Sequence, residues 1–207
     1  MSCNESHFRT FYTYDMRITV KTGIVSALGW MLLKLAFYVL GIFEHSIVPT
    51  VLLNILGLLL AIVIGLFIQK RRETEETNAL VDMKNAMSAG LPYVILVGVF
   101  IYLFYAKINP SYIEHQIAEN DSAIEKMVHN PDRLKKFRKQ NADADVMSPE
   151  LIEKRLKESN RKGASAGFTA TLATLALLIL STIYSLLVTI IYRQLLFKRI
   201  YSSRMNQ

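Results

Sequence analysis

The stretch IVPTVLLNILGLLLAIVIGLFI, residues 47–68, decides the fold. Its 22 residues include no charged side chain, and they end on Gln69-Lys70-Arg71-Arg72. At ~1.5 Å per residue a helix of that length reaches about 33 Å, enough to cross the ~30 Å hydrocarbon core of a bilayer. Pro49 falls in its first turn, where a missing N–H costs nothing. The basic exit is the way a membrane span ends at a headgroup layer.

Working outward, three more apolar blocks appear, so the predicted spans are residues 24–43, 47–68, 88–106 and 168–192. Glu44, His45 and Ser46 form the hairpin between the first two spans, and Pro92 lies near the start of the third. The hydrophobic residues make up 52% of the 207-residue chain and are gathered in these blocks, which excludes a soluble globular domain. The single cysteine, Cys3, excludes a disulfide scaffold. The first apolar run starts after more than twenty residues and is too long for a signal-peptide core, so no cleavable leader is predicted. The fold class is all-α, a polytopic protein with one membrane domain over residues 1–207 and a helical extracytoplasmic subdomain at 107–166.

The net charge of +7 suggests nucleic acid only until it is placed along the chain. Lys70, Arg71, Arg72 and Lys84 are balanced by Glu73, Glu75, Glu76 and Asp82, and the excess lies in the two tails and the long loop. No segment forms a phosphate-binding stripe, so no nucleic-acid partner is expected. Arg9, Arg17 and Lys21, the four bases of 70–84, and Arg193, Lys198, Arg199 and Arg204 all fall on one side of a four-span topology. The other side holds the base-free hairpin and a loop of about sixty residues, long enough to translocate regardless of its charge. Both termini are therefore predicted to be cytoplasmic. Arg161 and Lys162, near the fourth span, weigh the other way. Phe8, Phe11, Tyr12, Tyr14, Tyr192, Phe197 and Tyr201 read as interfacial anchors.

The long loop carries helix punctuation. Asn109-Pro110, Asn130-Pro131 and Ser148-Pro149 each pair a capping side chain with a proline suited to a first helical turn. Two or three short helices are expected, a second stretch ending near Gln140 and a third near Asn160. Their apolar positions are Ile113, Ile117, Ile124, Met127 and Val128, then Leu151, Ile152 and Leu156. The run Arg133, Lys135, Lys136, Arg138 and Lys139 reads as a solvated face or a headgroup contact.

These features together resemble an uncharacterised bacterial family of small four-span inner-membrane proteins, catalogued as a domain of unknown function. The resemblance rests on the lead-in Lys21-Thr22-Gly23, the tight hairpin and the exit Lys70-Arg71-Arg72. It rests also on the third span closing at Ile108-Asn109-Pro110, followed by Ser111-Tyr112-Ile113-Glu114. It covers about residues 17–200. It implies the four-span fold and a bacterial inner-membrane location, and it implies no activity.

Chemistry must then come from the residues. Lys34 is the eleventh residue of its predicted span and sits near the bilayer centre, where a lysine costs ~2.5–3.5 kcal/mol on insertion scales. No carboxylate occurs in any predicted span. Depth arithmetic brings Asn54, Ser181 and Tyr184 to the level of Lys34, which predicts an intramembrane polar cluster of these four. Three readings compete for it: a structural lysine, a lysine paired with an acid or phosphate of another molecule, and a site for a transported anion or proton. Gly57 with Gly65, Gly90 with Gly98, and Gly163 with Gly167 mark close helix approaches, the last at small-xxx-small spacing.

Glu44-His45, Glu114-His115 and His129 lack metal-site spacing, and Asn141-Ala142-Asp143-Ala144-Asp145 lacks the glycine and terminal glutamate of a calcium loop. No nucleophile elbow or phosphate loop is present, so no catalytic residue, metal or cofactor is expected, and the chain is not expected to be an enzyme. The leading expectation is a non-catalytic accessory or scaffold component of an inner-membrane assembly. Its partners would be the lipid bilayer and a partner membrane protein or a second copy of itself. The alternative is a small oligomeric transporter or channel built on the cluster around Lys34.

Overall fold

In a computed structural model, residues 4–42, 48–73, 78–141 and 144–194 are described, with side chains from residue 18 onward. The regular structure among them is helical throughout: α1 Asn4–Val39, α2 Val48–Arg72, α3 Ala79–Leu103, α4 Pro110–Val128, α5 Pro131–Gln140, α6 Pro149–Gly163 and α7 Ala166–Tyr192. Four stretches are long and apolar enough to cross a membrane: Ile18–Val39, Val48–Arg72, Ala79–Ile108 and Ala166–Tyr192. The chain is thus an all-helical integral membrane protein. The hairpin Glu44-His45-Ser46, Ala142 and Asp143, Cys3, and the C-terminal Phe197, Lys198, Arg199, Tyr201 and Arg204 lie outside the described residues, as do the side chains of the N-terminal aromatics and bases up to Arg17.

The helix ends follow from local chemistry. α1 stops at Val39, four residues short of the end of its apolar block, because Gly41 adopts φ +65°, a left-handed conformation that glycine takes without steric cost. Ile42 N–H then reaches the Phe37 carbonyl at 2.9 Å and Gly41 N–H the Tyr38 carbonyl at 3.2 Å, the double bond of a Schellman cap. α3 starts well before its apolar block, at Ala79, with Asp82 in its first turn, where a carboxylate suits the positive end of the helix dipole. Asp82, Lys84 and Asn85 therefore belong to a helix and not to a polar link. At its other end α3 widens into a π-helical turn, Phe104–Ile108, closed by Asn109 N–H on the Phe104 carbonyl at 2.8 Å.

The chain divides into two compact units, Met1–Gly98 with Ala173–Gln207, and Val99–Leu172. In the first, the fully buried residues include Ala27, Leu58, Ala61, Ile62, Leu66, Ala86, Ala89, Tyr93, Val94 and Val97, contributed by α1, α2 and α3. The outward-facing side chains are largely apolar, among them Leu32, Leu52, Ile95, Leu175 and Ile179, as a lipid-facing surface requires. The second unit has its own small core of Val128, Ala144 and Ile152, against which Ile124, Met127, Leu134, Phe137, Met147 and Leu156 pack. Asn109, Asn130 and Ser148 cap α4, α5 and α6, accepting backbone N–H groups of Tyr112, of Asp132 and Arg133, and of Leu151.

Candidate functional site

The four midplane residues are brought into separate contacts. Lys34 on α1 donates from Nζ to Thr50 Oγ1 on α2 at 3.3 Å, and the neighbouring Trp30 Nε1 reaches the Thr50 carbonyl at 3.4 Å. Asn54, one turn along α2, is engaged from α3: the Tyr93 hydroxyl lies 2.8 Å from its Oδ1 and 3.0 Å from its carbonyl. Ser181 packs against Gly90 on α3, and its hydroxyl has no hydrogen-bond partner among the described residues. Tyr184 is half-buried one helical turn further along α7. Equal depth does not set the rotation of a helix about its axis. That rotation gives Lys34 to Thr50 and Asn54 to Tyr93. Neither Thr50 nor Tyr93 was selected from the sequence, because a lone threonine or tyrosine in a span carries no pairing signal.

The glycines divide into two sets. A Cβ at Gly57 would meet the Tyr93 hydroxyl at 2.7 Å, and one at Gly65 the Thr22 hydroxyl at 2.8 Å and Ala89 Cβ at 3.0 Å. At Gly90 it would collide with Ser181 Oγ, at Gly98 with Thr174 Oγ1, and at Gly23 with the Ala89 carbonyl oxygen. Gly163 and Gly167 have nothing within 4 Å of the corresponding point. They are no packing surface within the described chain. α6 ends at Gly163 and α7 begins at Ala166, so the two glycines stand on different helices and their four-residue spacing defines no common face.

The densest polar arrangement lies at the basic end of the first unit. Asp82, with a fully buried side chain, takes Lys70 Nζ on one carboxylate oxygen at 2.5 Å and Arg193 Nη1 on the other at 3.0 Å. Lys70 also pairs with Glu73, whose carboxylate accepts from Gln69 Nε2 at 3.2 Å. Three helix ends, those of α2, α3 and α7, thus meet on one carboxylate. Two cations facing two carboxylates leave the inner group close to neutral, which is what permits its burial. Asn85 is buried beside Asp82 on α3.

On α7 the buried hydroxyls of Ser181, Ser185 and Thr189 follow one another by single turns, all without hydrogen-bond partners among the described residues. The contacts of Thr174 with Gly98 and of Ser181 with Gly90 make α3 and α7 antiparallel. Continuing that register by turns sets Ser185 opposite Ala86 and Thr189 opposite Asp82.

In the second unit a polar ladder joins α4 to α6. Asn160 Nδ2 donates to Asp121 Oδ1 at 2.9 Å and to the Ile117 carbonyl at 3.2 Å, and Asn160 Oδ1 accepts from Asn120 at 3.1 Å. Lys157 pairs with Glu125 across the helices and with Glu153 at 2.8 Å along its own. The hydrogen bond from Lys157 holds the Glu125 carboxyl below its usual range, while Glu125 and then Glu153 push Lys157 up to about 12. Glu150 is lowered by its own backbone N–H and by the Ser148 hydroxyl.

A groove of about 420 Å³ between α5 and α6 is lined by Phe137, Ala144, Met147, Ile152 and Leu156, with Asn141 and Arg155 as its polar members. Of the basic run on α5, Arg133, Lys135, Lys136 and Lys139 are exposed, and Arg138 donates to the Met147 carbonyl at 2.8 Å. His129 Nδ1 lies 2.9 Å from the Glu125 carbonyl. Among the described residues no three His, Cys, Asp or Glu side chains gather as a metal site.

No curated protein and no solved structure matches the chain. A family model described as "Protein of unknown function (DUF4199)" matches residues 21–194, from the start of the basic lead-in to just past Arg193, and so reaches into both units and takes in the ion cluster. The chain therefore belongs to the DUF4199 family of proteins of unknown function.

Proposed function

We propose that this protein is a non-catalytic component of a bacterial inner-membrane assembly. In this reading the four spans form a four-helix bundle with both termini in the cytoplasm, and the unit of α4–α6 stands on the opposite face and engages a partner membrane protein. One observation carries the reading: the segment between the third and fourth spans folds, with the span ends that flank it, into a compact unit with its own core and caps, and it places four exposed bases on one ten-residue helix. A link needed only to join two spans would not have to fold. Lys34 and Asn54 are engaged inside the chain, in two separate pairs, which favours a structural role for them over a shared transport site.

Affinity purification from native membranes in a mild detergent, with mass determination of the particle, tests this. The expected result is a stoichiometric second protein that is lost from a Lys135→Glu, Lys136→Glu variant which still accumulates normally. A homogeneous homo-oligomer without a second protein would overturn the reading and direct attention to flux assays with Lys34 and Asn54 variants.

A further inference from the structure

Arg71 is the last residue but one of α2, and its exposed guanidinium is laid back over the ring of Phe67, with Cζ 4.7 Å from the centroid. Phe67 in turn meets Tyr192 of α7, ring centroids 6.4 Å apart with planes at 50°, and the Tyr192 hydroxyl donates to the Val63 carbonyl at 3.3 Å. Arg193 follows Tyr192 and is fixed by its bond to Asp82. The last turns of α2 and α7 thus carry an aromatic pair with an arginine at each helix end, at the level where both apolar spans stop.

Among the described residues, the acids at this end are committed elsewhere: Asp82 to Lys70 and Arg193, and Glu73 to Lys70 and Gln69. Arg71 has no carboxylate partner among the described residues, and its stacking on Phe67 holds it against the span instead of out in water. A guanidinium held in that plane presents a fork of N–H donors that matches a phosphate in a bidentate way. The anions present at a span end are the phosphodiesters of lipid headgroups.

We propose that the last turns of α2 and α7 form a binding site for an anionic phospholipid headgroup, with Arg71 as its principal phosphate ligand and the Phe67–Tyr192 pair as its floor. The site lies in the first unit alone and does not depend on the assembly role proposed above.

Thermal unfolding of the full chain in a neutral mild detergent, with dioleoyl phosphatidylglycerol or dioleoyl phosphatidylcholine added, tests the site. Phosphatidylglycerol should raise the Tm by on the order of 2–4 °C more than phosphatidylcholine. Arg71→Gln should remove at least half of that difference, and Arg71→Lys, which keeps the charge and loses the fork, should fall between. Raising the salt should shrink the difference, as it would for a charge contact and not for acyl packing. Equal stabilisation by the two lipids, or an undiminished lipid effect in Arg71→Gln, would overturn the site. Stabilisation by inorganic phosphate equal to that by phosphatidylglycerol would show a soluble-anion site and overturn the lipid assignment.

Discussion

Lys34 and Tyr93 each reach a polar group in the first turns of α2, at 3.3 Å and 2.8 Å, yet their substitutions should behave oppositely. Lys34→Leu removes an amine from within the apolar stretch Ile18–Val39, where a lysine is costly, and a hydrogen bond such as that to Thr50 contributes only about 0.5–1.5 kcal/mol. The Tm of Lys34→Leu in detergent should therefore equal or exceed that of the native chain. Tyr93→Phe keeps the packing but leaves Asn54 Oδ1 buried without its donor, a loss of about 1–3 kcal/mol, and should lower the Tm by several degrees. A destabilised Lys34→Leu beside an unaffected Tyr93→Phe would contradict the assignment of partners. At this scale the sequence was half legible. Counting residues along a span places Lys34 and Asn54 at one depth, and only the packed helices reveal that the two point to different neighbours.

The starts of α4, α5 and α6 were the most readable elements, while α1 and α3 start well before their apolar blocks. The Asn-Pro and Ser-Pro signals at 109–110, 130–131 and 148–149 are the caps and first residues of α4, α5 and α6, because an oxygen acceptor followed by a fixed φ satisfies the first N–H groups wherever it occurs. Helix contacts were less readable, since glycine spacing marks a potential approach and not an achieved one. Alanine substitution should sort the glycines by what stands opposite. Gly23→Ala should cost most, because it meets the backbone carbonyl of Ala89; Gly90→Ala and Gly98→Ala meet side-chain hydroxyls that can turn. Gly163→Ala and Gly167→Ala should be neutral or gain up to about 1 kcal/mol from helix propensity. A Tm series in one detergent checks the order, and a stable Gly23→Ala protein would refute it.

The α4–α6 pair should also respond to pH at both extremes. Glu125 and Glu150 are held below their unfolded values, so the stability they supply is present above about pH 4.5 and is lost as pH falls through their folded values. Lys157 is raised to about 12, so its contribution is full below about pH 10.4 and is lost as pH rises towards 12. Hydrogen exchange of α4 and α6 amides in the full chain, corrected for intrinsic rates, should show flat protection between these limits. Lys157→Met should abolish most of the alkaline fall.

Across the whole molecule, the spans were legible because four apolar runs of membrane length have no other stable setting, and the ion cluster was not. Arg193 and Asp82 are 111 positions apart, and Lys70 and Asp82 look in sequence like charges that cancel within one linking segment. Only the fold shows that they clamp three helix ends. Asp82→Asn leaves the buried Lys70 and the half-buried Arg193 without their shared carboxylate and should cost about 3–5 kcal/mol. Adding Lys70→Met to Asp82→Asn should recover part of the loss, because it removes one of the stranded charges. Equal Tm values for Asp82→Asn and the native chain would show that the clamp contributes little.

The central proposal is that the folded α4–α6 unit of this four-span protein lies across the membrane from both chain ends. Cysteine labelling with a membrane-impermeant maleimide tests it most directly. Cys3, the only cysteine, reports the N-terminal side as it stands, and Lys84→Cys and Lys136→Cys in a Cys3→Ser background report the exposed face of the first turns of α3 and the α5 face. The account predicts that Cys3 and Lys84→Cys react only in inside-out vesicles and Lys136→Cys only from the outside of intact cells or spheroplasts. Labelling of Cys3 and Lys136→Cys from the same side would contradict it.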